Sequence, residues 1–475
     1  MTDIKIFNTL SGRKEDFVPL SAGEVKFYAC GPTVYDDSHL GHARAFIVWD
    51  VVQRYLRFAG YKVTFVRNVT DVDDKIINRA KELGMHPDQL ARQYINSFWN
   101  DMHNLNVSLP NFEPRATEYI SRMISFIEEL VHKGFAYESQ GDVYFEVSKF
   151  ADYGRLGKQN LEQLMSGARE QVRSQDALAG LKRNPVDFAL WKSAGEKELH
   201  WQSPWGLGRP GWHLECSTMI KHVLGESIDI HSGGEDLIFP HHENEIAQSE
   251  ALHGKPLSKY WMHNSFVQVS AEKMSKSLGN FSTIRELLSA YSADTIRLLV
   301  LQTHYRNPID FTPDSLLAAK NAVGRLIRAA NIASTSNADS DETTDANSSS
   351  DADPSVKQLR EEFTAAMNND FNTAVAIASL FAFADKIQTS SKDLQTGYAR
   401  ELRKYAGVLG LQLEDSRKVL DSTTAAAVVD LVLELRRNAR EKKDFATSDL
   451  IRKQLAELNI NVMDVAGGKV GWERV

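Results

Sequence analysis

Near the start of the chain a strand, a turn and a helix follow one another, and this order is the strongest constraint on the fold. Residues 25–29 have the composition of a short buried strand, and residues 31–38 form a turn rich in Gly, Pro, Asp and Ser. A helical stretch covers residues 41–59, Gly60 ends it, and a second strand follows at 62–68. Such a unit joins two parallel strands through a crossover helix. The sequence therefore predicts an α/β fold with a doubly wound, Rossmann-like parallel sheet.

The same alternation returns in the middle of the chain. Residues 227–231 have the pattern of a strand, a Gly-Gly turn follows, and a helix is expected to start near Pro240. Residues 261–269 have the pattern of one further strand. Residues 109–205 are less regular, which indicates an insertion carried by the sheet. We assign residues 1–311 to one domain built on this sheet.

Helical periodicity takes over from about Thr312, and the strands disappear. We assign residues 312–415 to a helical domain. Within it, residues 334–355 are rich in Ser, Asn, Asp and Ala and cannot form a packed core, so we predict a disordered acidic linker. Residues 416–475 form a last module with a basic helical segment. Its positively charged residues are Arg436, Arg437, Arg440, Lys442, Lys443, Arg452 and Lys453.

The composition is that of a globular protein and argues against a membrane protein. The chain has 475 residues, of which 42% are hydrophobic and 25% charged, enough for two or three domains. No uncharged apolar run approaches the ~20 residues that a bilayer span requires, and the first residues lack the apolar core of a signal peptide. We expect a cytoplasmic protein without a membrane partner. The net charge of −8 is weak evidence against a nucleic-acid partner, because phosphate contacts need only a locally basic surface.

A His-Leu-Gly-His motif lies where the first strand passes into its helix. His39 and His42 flank Gly41 at the helix start, where unpaired N–H groups and the helix dipole favour a polyphosphate. Two imidazoles can add hydrogen bonds, and glycine lets a nucleotide approach the backbone closely. The alternative interpretation is a pair of surface histidines in a turn.

A Lys-Met-Ser-Lys-Ser motif begins at Lys273, shortly after the predicted strand that ends near Val269. Two lysines that flank a small hydroxyl residue can neutralise the charge that develops on a leaving pyrophosphate. Alone, the motif could be a solvated basic loop. In this order, the two motifs resemble the HIGH and KMSKS signatures of class I aminoacyl-tRNA synthetases, with Leu40 in place of isoleucine. The resemblance implies an ATP site formed by His39, Gly41, His42, Lys273, Ser275 and Lys276.

The two cysteines of the chain, Cys30 and Cys216, suggest either buried thiols or metal ligands, since a cytosolic protein rarely keeps a disulfide. Downstream, His241 and Glu245 are four residues apart and would share one helix face. Two thiolates, an imidazole and a carboxylate make a tetrahedral zinc site. Spacing alone does not separate His241 from His242, because the pair His242 and Glu245 is also feasible.

Four longer segments resemble the cysteinyl-tRNA synthetase family: YACGPTVYD from residue 28, NVTDVDDKI from 68, SPWGLGRPGWHLECS from 203 and GGEDLIFPHHENE from 233. The resemblance runs from the beginning of the chain to Trp472. It implies the zinc ligands Cys30, Cys216, His241 and Glu245. It also implies an amino-acid pocket formed by Gly31, Thr33, Thr70, Trp212, His231 and Asp236.

The activity implied by this resemblance is ligation of L-cysteine to cysteine tRNA with Mg²⁺·ATP, by a monomer with one Zn²⁺ per chain. A steric pocket separates side chains that differ by one group by only ~1–3 kcal/mol, whereas zinc binds a thiolate well and an alcohol poorly. The catalytic residues would be His39, His42, Lys273 and Lys276, and residues 416–475 would bind the anticodon. Two alternatives are a cysteine ligase of mycothiol biosynthesis with the same catalytic core, and an RNA-binding or regulatory protein without catalytic activity.

Overall fold

The computed structural model describes residues 3–160, 180–269, 272–273, 282–335, 353–414, 422–457, 460–465 and 469–474. The chain divides into two compact units, Met1–Leu413 and Glu414–Val475. None of the described helices has an apolar stretch of the length that a bilayer crossing requires.

The strands of the described part of the chain are short. In chain order they are β1 (Lys5–Asn8), β2 (Arg13–Asp16), β3 (Glu24–Ala29), β4 (Lys62–Arg67), β5 (Ala136–Ser139), β6 (Asp142–Phe145), β7 (Phe188–Ser193), β8 (Trp201–Ser203), β9 (Gly206–Pro210), β10 (Ile228–Gly234), β11 (Ser258–Asn264), β12 (Val267–Val269), β13 (Glu272–Lys273), β14 (Ile309–Asp310), β15 (Ile460–Val465) and β16 (Lys469–Arg474).

The helices are longer and dominate the second half of the chain. In chain order they are α1 (Leu40–Phe58), α2 (Asp74–Leu83), α3 (Pro87–Asn104), α4 (Ile120–His132), α5 (Trp212–Val223), α6 (Glu243–His253), α7 (Ile284–Ala290), α8 (Ala293–Leu301), α9 (Pro313–Thr335), α10 (Pro354–Asn368), α11 (Thr373–Thr389), α12 (Lys392–Val408), α13 (Ser422–Glu441) and α14 (Phe445–Glu457).

The central sheet has the order β11-β10-β3-β4, and every pair of neighbours is parallel. Its strands are buried on both faces; in β3, for example, Phe27 is fully buried against Trp49 of α1. Parallel pairing brings the carboxyl ends of the strands to one edge, where Ala29, Arg67 and Asn264 lie. The predicted α/β fold with a parallel sheet is confirmed.

A separate antiparallel sheet, with the order β5-β6-β7-β9-β8, is built from residues 136–210. These residues lie largely within the region 109–205 for which we predict an insertion. Strand β9 leads through Gly211 directly into α5. There is no room for a side chain at Gly211, because a Cβ atom would lie 2.0 Å from the carbonyl oxygen of Ala189. The antiparallel sheet therefore fixes where α5 begins.

The prediction of one strand over residues 261–269 is wrong. Strand β11 ends at Asn264, and β12 belongs to a small sheet with β13 and β14. The buried guanidinium of Arg44, on α1, donates hydrogen bonds to the carbonyl oxygens of Phe266 and Asn307 and, at 3.0 Å, to that of Tyr305. The backbone between the two strands turns toward this donor and leaves the central sheet.

The prediction that a helix starts near Pro240 is also inexact. Helix α6 begins at Glu243, and residues Ile238–His242 form an irregular helical turn. Phe239 interrupts this turn with an extended backbone, at φ −137° and ψ 133°. His241 and His242 therefore precede the regular helix.

Helices α8 to α12 pack around an apolar core that is continuous with that of the central sheet. The ends of the predicted linker, residues 334–355, are ordered: α9 continues to Thr335, and Asp353 caps α10 with its side chain. Most of the linker, residues 336–352, lies outside the described residues. The predicted domain boundary near residue 311 stays a prediction.

The second unit contains α13, α14 and an antiparallel hairpin of β15 and β16. Its small core includes Leu433, Leu455 and Val462. The prediction that strands are absent after Thr312 is wrong, because β15 and β16 pair as an antiparallel hairpin from Ile460 to Arg474. Of the predicted basic residues of this unit, Arg436 is buried, whereas Arg437, Arg440, Lys442, Lys443, Arg452 and Lys453 are exposed.

Candidate active site and metal centre

Four side chains that could bind a metal ion converge beyond the carboxyl end of β3. Cys30 directly follows β3, Cys216 lies on α5, His241 lies in the turn before α6, and Glu245 lies in the first turn of α6. The two Sγ atoms are 3.8 Å apart. His241 Nε2 lies 3.7 Å from Cys216 Sγ and 3.1 Å from Glu245 Oε1. All four donor atoms lie within 4.8 Å of one another.

A second set of donors, formed by Cys30, His231, His242 and Glu245, overlaps with the first. His242 Nε2 is 3.2 Å from Cys30 Sγ and 3.9 Å from Glu245 Oε1. His231 Nε2 lies 2.7 Å from the other carboxylate oxygen, Glu245 Oε2. His241 and His242, between which the sequence does not decide, therefore each belong to one of the two donor sets.

Two further histidines, which the sequence analysis did not single out, contact the rings of His241 and His242 from the outside. The Nδ1 atoms of His213 and His241 are 2.8 Å apart, and Nδ1 of His242 lies 2.8 Å from Nε2 of His263. His263 also contacts the hydroxyl of Thr9 through Nδ1, at 2.8 Å. A hydrogen bond at Nδ1 directs Nε2 of each ring toward the cluster, which is how metal-binding histidines are oriented.

The donor set fits a zinc ion. Bonds of about 2.0–2.3 Å in a tetrahedron place the ligand atoms about 3.3–3.8 Å apart. Four of the six pairs among Cys30, Cys216, His241 and Glu245 are 3.1–3.8 Å apart, and all six lie within 4.8 Å. Burial raises the pKa of the Cys30 thiol and of the Glu245 carboxyl well above their ordinary values, and it lowers the pKa of His241 well below its own. These buried groups are neutral without a cation, so a bound metal would replace protons.

A cleft of about 560 Å³ opens beside the cluster, and Cys30 lines it. Four residues of the predicted amino-acid pocket also line the cleft: Gly31, Thr33, Trp212 and Asp236. The indole of Trp212 stacks on the ring of His241, with centroids 4.1 Å apart.

The other two residues predicted for the pocket lie behind its wall. Thr70 and His231 are 2% and 0% exposed. The hydroxyl of Thr70 donates a hydrogen bond of 2.6 Å to Glu215 Oε2, and His231 Nε2 faces Glu245. In the structure, Thr70 and His231 therefore contact Glu215 and Glu245 and do not line the cleft.

The phosphate-binding motif lies at the start of α1, and His39, Gly41 and His42 all line the same cleft. His39 Nδ1 accepts a hydrogen bond from the backbone N–H of Gly41 at 3.0 Å, and His42 Nδ1 accepts one from the N–H of His39 at 3.2 Å. The two rings stack with centroids 4.0 Å apart. Because each Nδ1 is an acceptor, the proton of each neutral ring is on Nε2, which makes that atom a donor.

Of the second motif, the structure describes only part of the backbone. Lys273 lies in β13, and β12 pairs with β13 through Gln268 and Lys273. Ser275 and Lys276 lie outside the described residues. Their predicted roles stay predictions.

Comparison with known proteins agrees with this geometry. The family model for the class I (C) tRNA synthetase catalytic domain matches residues 16–321, and that for the DALR domain matches residues 362–414. A cysteine–tRNA ligase of Geobacter sulfurreducens is 46% identical over 487 aligned residues, which cover 98% of each chain. One of Thermococcus gammatolerans is 47% identical, with 99% of each chain covered.

The chain belongs to the cysteine–tRNA ligase family. This membership confirms the family resemblance predicted from the sequence.

Solved structures of other class I synthetases share the fold of this family member. The Mycobacterium tuberculosis methionyl-tRNA synthetase in complex with methionyl-adenylate has a TM-score of 0.57 and 16% identity, covering 81% of this chain and 89% of that one. The Agrobacterium radiobacter LeuRS in its ternary complex with tRNA has a TM-score of 0.63 and 12% identity, covering 84% and 85%. The likeness extends well beyond the central sheet, and at these identities it concerns the fold alone.

Proposed function

We propose that this cysteine–tRNA ligase family member activates L-cysteine with Mg²⁺·ATP and transfers it to cysteine tRNA. One observation carries the proposal: a cluster of four potential metal donors, three of them buried, and a helix start with two histidines border one cleft. The thiol and the carboxylate of cysteine are only a few bonds apart. A cysteine whose thiol is bound near Cys30 therefore has its carboxylate inside the cleft that His39 and His42 also line.

We propose that zinc is held by Cys30, Cys216, His241 and Glu245. The alternative set needs Nε2 of His231, but this nitrogen lies in hydrogen-bond contact with Glu245 Oε2. Zinc binding by Cys30, Cys216, His241 and Glu245 leaves the contact between His231 and Glu245 intact, since Glu245 Oε1 faces the cluster and Oε2 faces His231. When bound, zinc supplies a Lewis acid that accepts a thiolate and discriminates against the hydroxyl of serine.

The affinity for zinc is expected to rise with pH. Because burial raises the pKa of Cys30 and Glu245, these groups hold their protons in the metal-free protein, and zinc must displace them. Acidification therefore weakens binding, and alkaline pH strengthens it until the thiols are ionised. Competition with a chromogenic chelator across a pH series measures the slope, and a flat profile would contradict it.

In the first step, an oxygen of the cysteine carboxylate attacks the α-phosphorus of ATP, and the bond to the bridging oxygen of pyrophosphate breaks. His39 and His42 donate hydrogen bonds from Nε2 to the phosphates. Lys273 and Lys276 neutralise the charge that develops on the leaving pyrophosphate. Magnesium accompanies ATP, and no protein nucleophile is needed.

In the second step, a hydroxyl of the terminal ribose of the tRNA attacks the carbonyl carbon of the adenylate, and AMP leaves. We propose that this is the 2′-hydroxyl, as the class I membership favours. The exposed cations of the second unit support a tRNA-binding role for residues 416–475, since they offer a locally basic surface in a chain of net charge −8.

The mycothiol ligase alternative is not favoured. The relatives that carry the name cysteine–tRNA ligase are covered over 98–99% of both chains, including the helical part and the C-terminal unit. The match of residues 362–414 to the DALR domain also favours the tRNA ligase over the sugar ligase. A ligase that acts on an amino sugar would not need the helical part or the C-terminal unit.

Cysteine-dependent exchange of pyrophosphate into ATP, followed by aminoacylation of bulk tRNA, tests the proposed function. We expect both activities with cysteine and neither with serine. Exchange without aminoacylation of any tRNA, together with ligation of cysteine to an amino sugar, would overturn it in favour of the alternative.

Removal of residues 416–475 separates the two steps. Adenylate formation uses residues of the first unit, so we expect exchange within a few-fold of the full chain, whereas aminoacylation falls much further and tRNA binding becomes less salt-dependent. Equal loss of both activities would instead indicate a folding defect.

A milder variant keeps the second unit intact. Lys442→Gln with Lys443→Gln removes two exposed charges, and we expect weaker tRNA binding with a shallower salt dependence. The matched control is Lys62→Gln, an exposed lysine at the amino end of β4, on the edge of the sheet opposite the cleft. Similar tRNA affinity in both variants would contradict the proposed role of the second unit.

A further inference from the structure

A chain of hydrogen bonds runs in one direction from the cleft to α5. The backbone N–H of Gly31 donates to Asn68 Oδ1 at 2.8 Å, and Asn68 Nδ2 donates to Thr70 Oγ1 at 3.4 Å. The Thr70 hydroxyl then donates to Glu215 Oε2 at 2.6 Å. Asn68, Thr70 and Glu215 are at most 2% exposed. Each donor of this chain depends on the next acceptor, and Oε2 of the Glu215 carboxyl group is its final acceptor.

The same segment supports the wall of the cleft through the backbone. The N–H of Val34 donates to the carbonyl oxygen of Thr70 at 3.2 Å, and the N–H of Thr70 donates to that of Pro32 at 3.1 Å. At Gly31 the fit is so close that a Cβ atom would lie 1.6 Å from the carbonyl oxygen of Asn68. Residues 31–33, which line the cleft, therefore follow the position of Thr70.

Glu215 lies on the helix that carries both Trp212, at the cleft, and Cys216, in the metal cluster. Its carboxyl group ties the loop after β4 to this helix, across 145 residues of sequence. Neither the phosphate-binding motif nor the metal cluster uses this side chain.

We propose that Glu215 is a positioning residue that acts through Thr70 and Asn68 on residues 31–33, and that it sets the shape of the amino-acid end of the cleft. The inference rests on the proposed function, because the ligand of this end is taken to be cysteine. The buried acceptor on Glu215 orients the hydroxyl of Thr70. Without it, this hydroxyl is left unpaired or turns to another acceptor, and residues 31–33, which follow the position of Thr70, shift as well.

The effect of losing Glu215 is confined to one substrate. His39 and His42 also line the cleft but make none of these hydrogen bonds. Glu215→Leu should therefore raise the KM for cysteine about tenfold, with the KM for ATP and kcat changed less than about twofold. Glu215→Gln keeps an acceptor oxygen at the same distance and should restore the KM for cysteine to near that of the parent chain.

The experiment measures cysteine-dependent ATP–pyrophosphate exchange for the full-length chain and for Glu215→Leu, Glu215→Gln, Thr70→Val and the double variant Glu215→Leu with Thr70→Val. Zinc content and Tm are measured on the same samples. We expect full zinc content throughout, and a KM for cysteine in the double variant no higher than that of Thr70→Val alone. This lack of additivity is the signature of a residue that acts through Thr70.

Three results would overturn the inference: an unchanged KM for cysteine in Glu215→Leu, effects of the two substitutions that multiply, or loss of zinc that accounts for the defect. A full chain that exchanges no pyrophosphate with cysteine would instead contradict the proposed function, so the two failures are distinguishable.

Discussion

Replacement of Cys216 by serine is expected to remove most of the zinc from the protein and to reduce its preference for cysteine over serine by at least about 100-fold. Cys216 is 2% exposed, and its Sγ lies 3.8 Å from that of Cys30. A serine hydroxyl is a poor ligand for zinc, so the remaining donors would hold the ion weakly. Metal analysis of the purified variant measures the first effect, and exchange kinetics with each amino acid measure the second.

A pair of histidine variants serves as the matched control for Cys216. His241→Gln is expected to lose zinc as Cys216→Ser does, whereas His242→Gln should retain about one ion per chain, because His242 is outside the proposed ligand set. Retention by His241→Gln and loss by His242→Gln would favour the overlapping set with His231. Full activity of the zinc-free enzyme would contradict the metal proposal altogether.

The second large effect is on stability: Asp50→Asn is expected to lower the free energy of unfolding by about 3–5 kcal/mol. Asp50 Oδ2 accepts hydrogen bonds from Arg297 at 2.7 Å and from Arg54 at 2.8 Å, and the side chains of Asp50 and Arg297 are fully buried. Arg297 also donates to the carbonyl oxygens of Leu105 and Leu409. The substitution would leave its guanidinium charge buried without a carboxylate.

This pair also predicts a dependence on pH. Burial raises the pKa of Asp50, but Arg297, Arg54 and the backbone N–H of Ser108 together lower it more, so the net pKa lies below its ordinary value. The stabilisation is then present above the pKa of the unfolded chain and is lost as the pH falls through that of the folded protein. We expect the difference between the parent chain and Asp50→Asn to shrink on acidification.

Denaturant unfolding followed by tryptophan fluorescence measures both effects. The matched control is Asp16→Asn, which removes a partner of Lys5 at 3.7 Å from a carboxylate that is 79% exposed. We expect a change of at most about 1 kcal/mol there, because exposed ion pairs contribute little. Equal effects of the two substitutions would contradict the importance of the buried pair.

The parallel sheet could be predicted because its signal is local: mostly apolar runs such as residues 25–29 end in turns rich in Gly, Pro, Asp and Ser and alternate with helices. The break between β11 and β12 could not, because it depends on Arg44, more than two hundred residues upstream of Phe266. The strands β15 and β16 could not be predicted either, because residues 460–465 do not alternate strictly in polarity and directly follow a long helical segment.

The candidate site shows the same division. The four proposed zinc ligands follow from residue types and motif resemblance, and the cluster in the structure contains all four. His213 could have been suggested by its place three residues before Cys216 on one helix, but nothing in the sequence points to His263 or Thr9. The roles of Thr70 and Glu215 depend on a contact between distant segments and cannot be derived from either motif alone.

The donors of the metal cluster are made at very different times. Cys30 is synthesised early, Cys216 follows 186 residues later, and Glu245 completes the set only after 215 residues. Domains fold largely in the order in which the ribosome delivers them, yet this centre has to wait until the antiparallel sheet, α5 and α6 have all emerged. With the proposed ligands, zinc would therefore bind late in the maturation of each nascent chain, and a chain that stops between α5 and α6 would carry the thiols of Cys30 and Cys216 without Glu245 to complete the set.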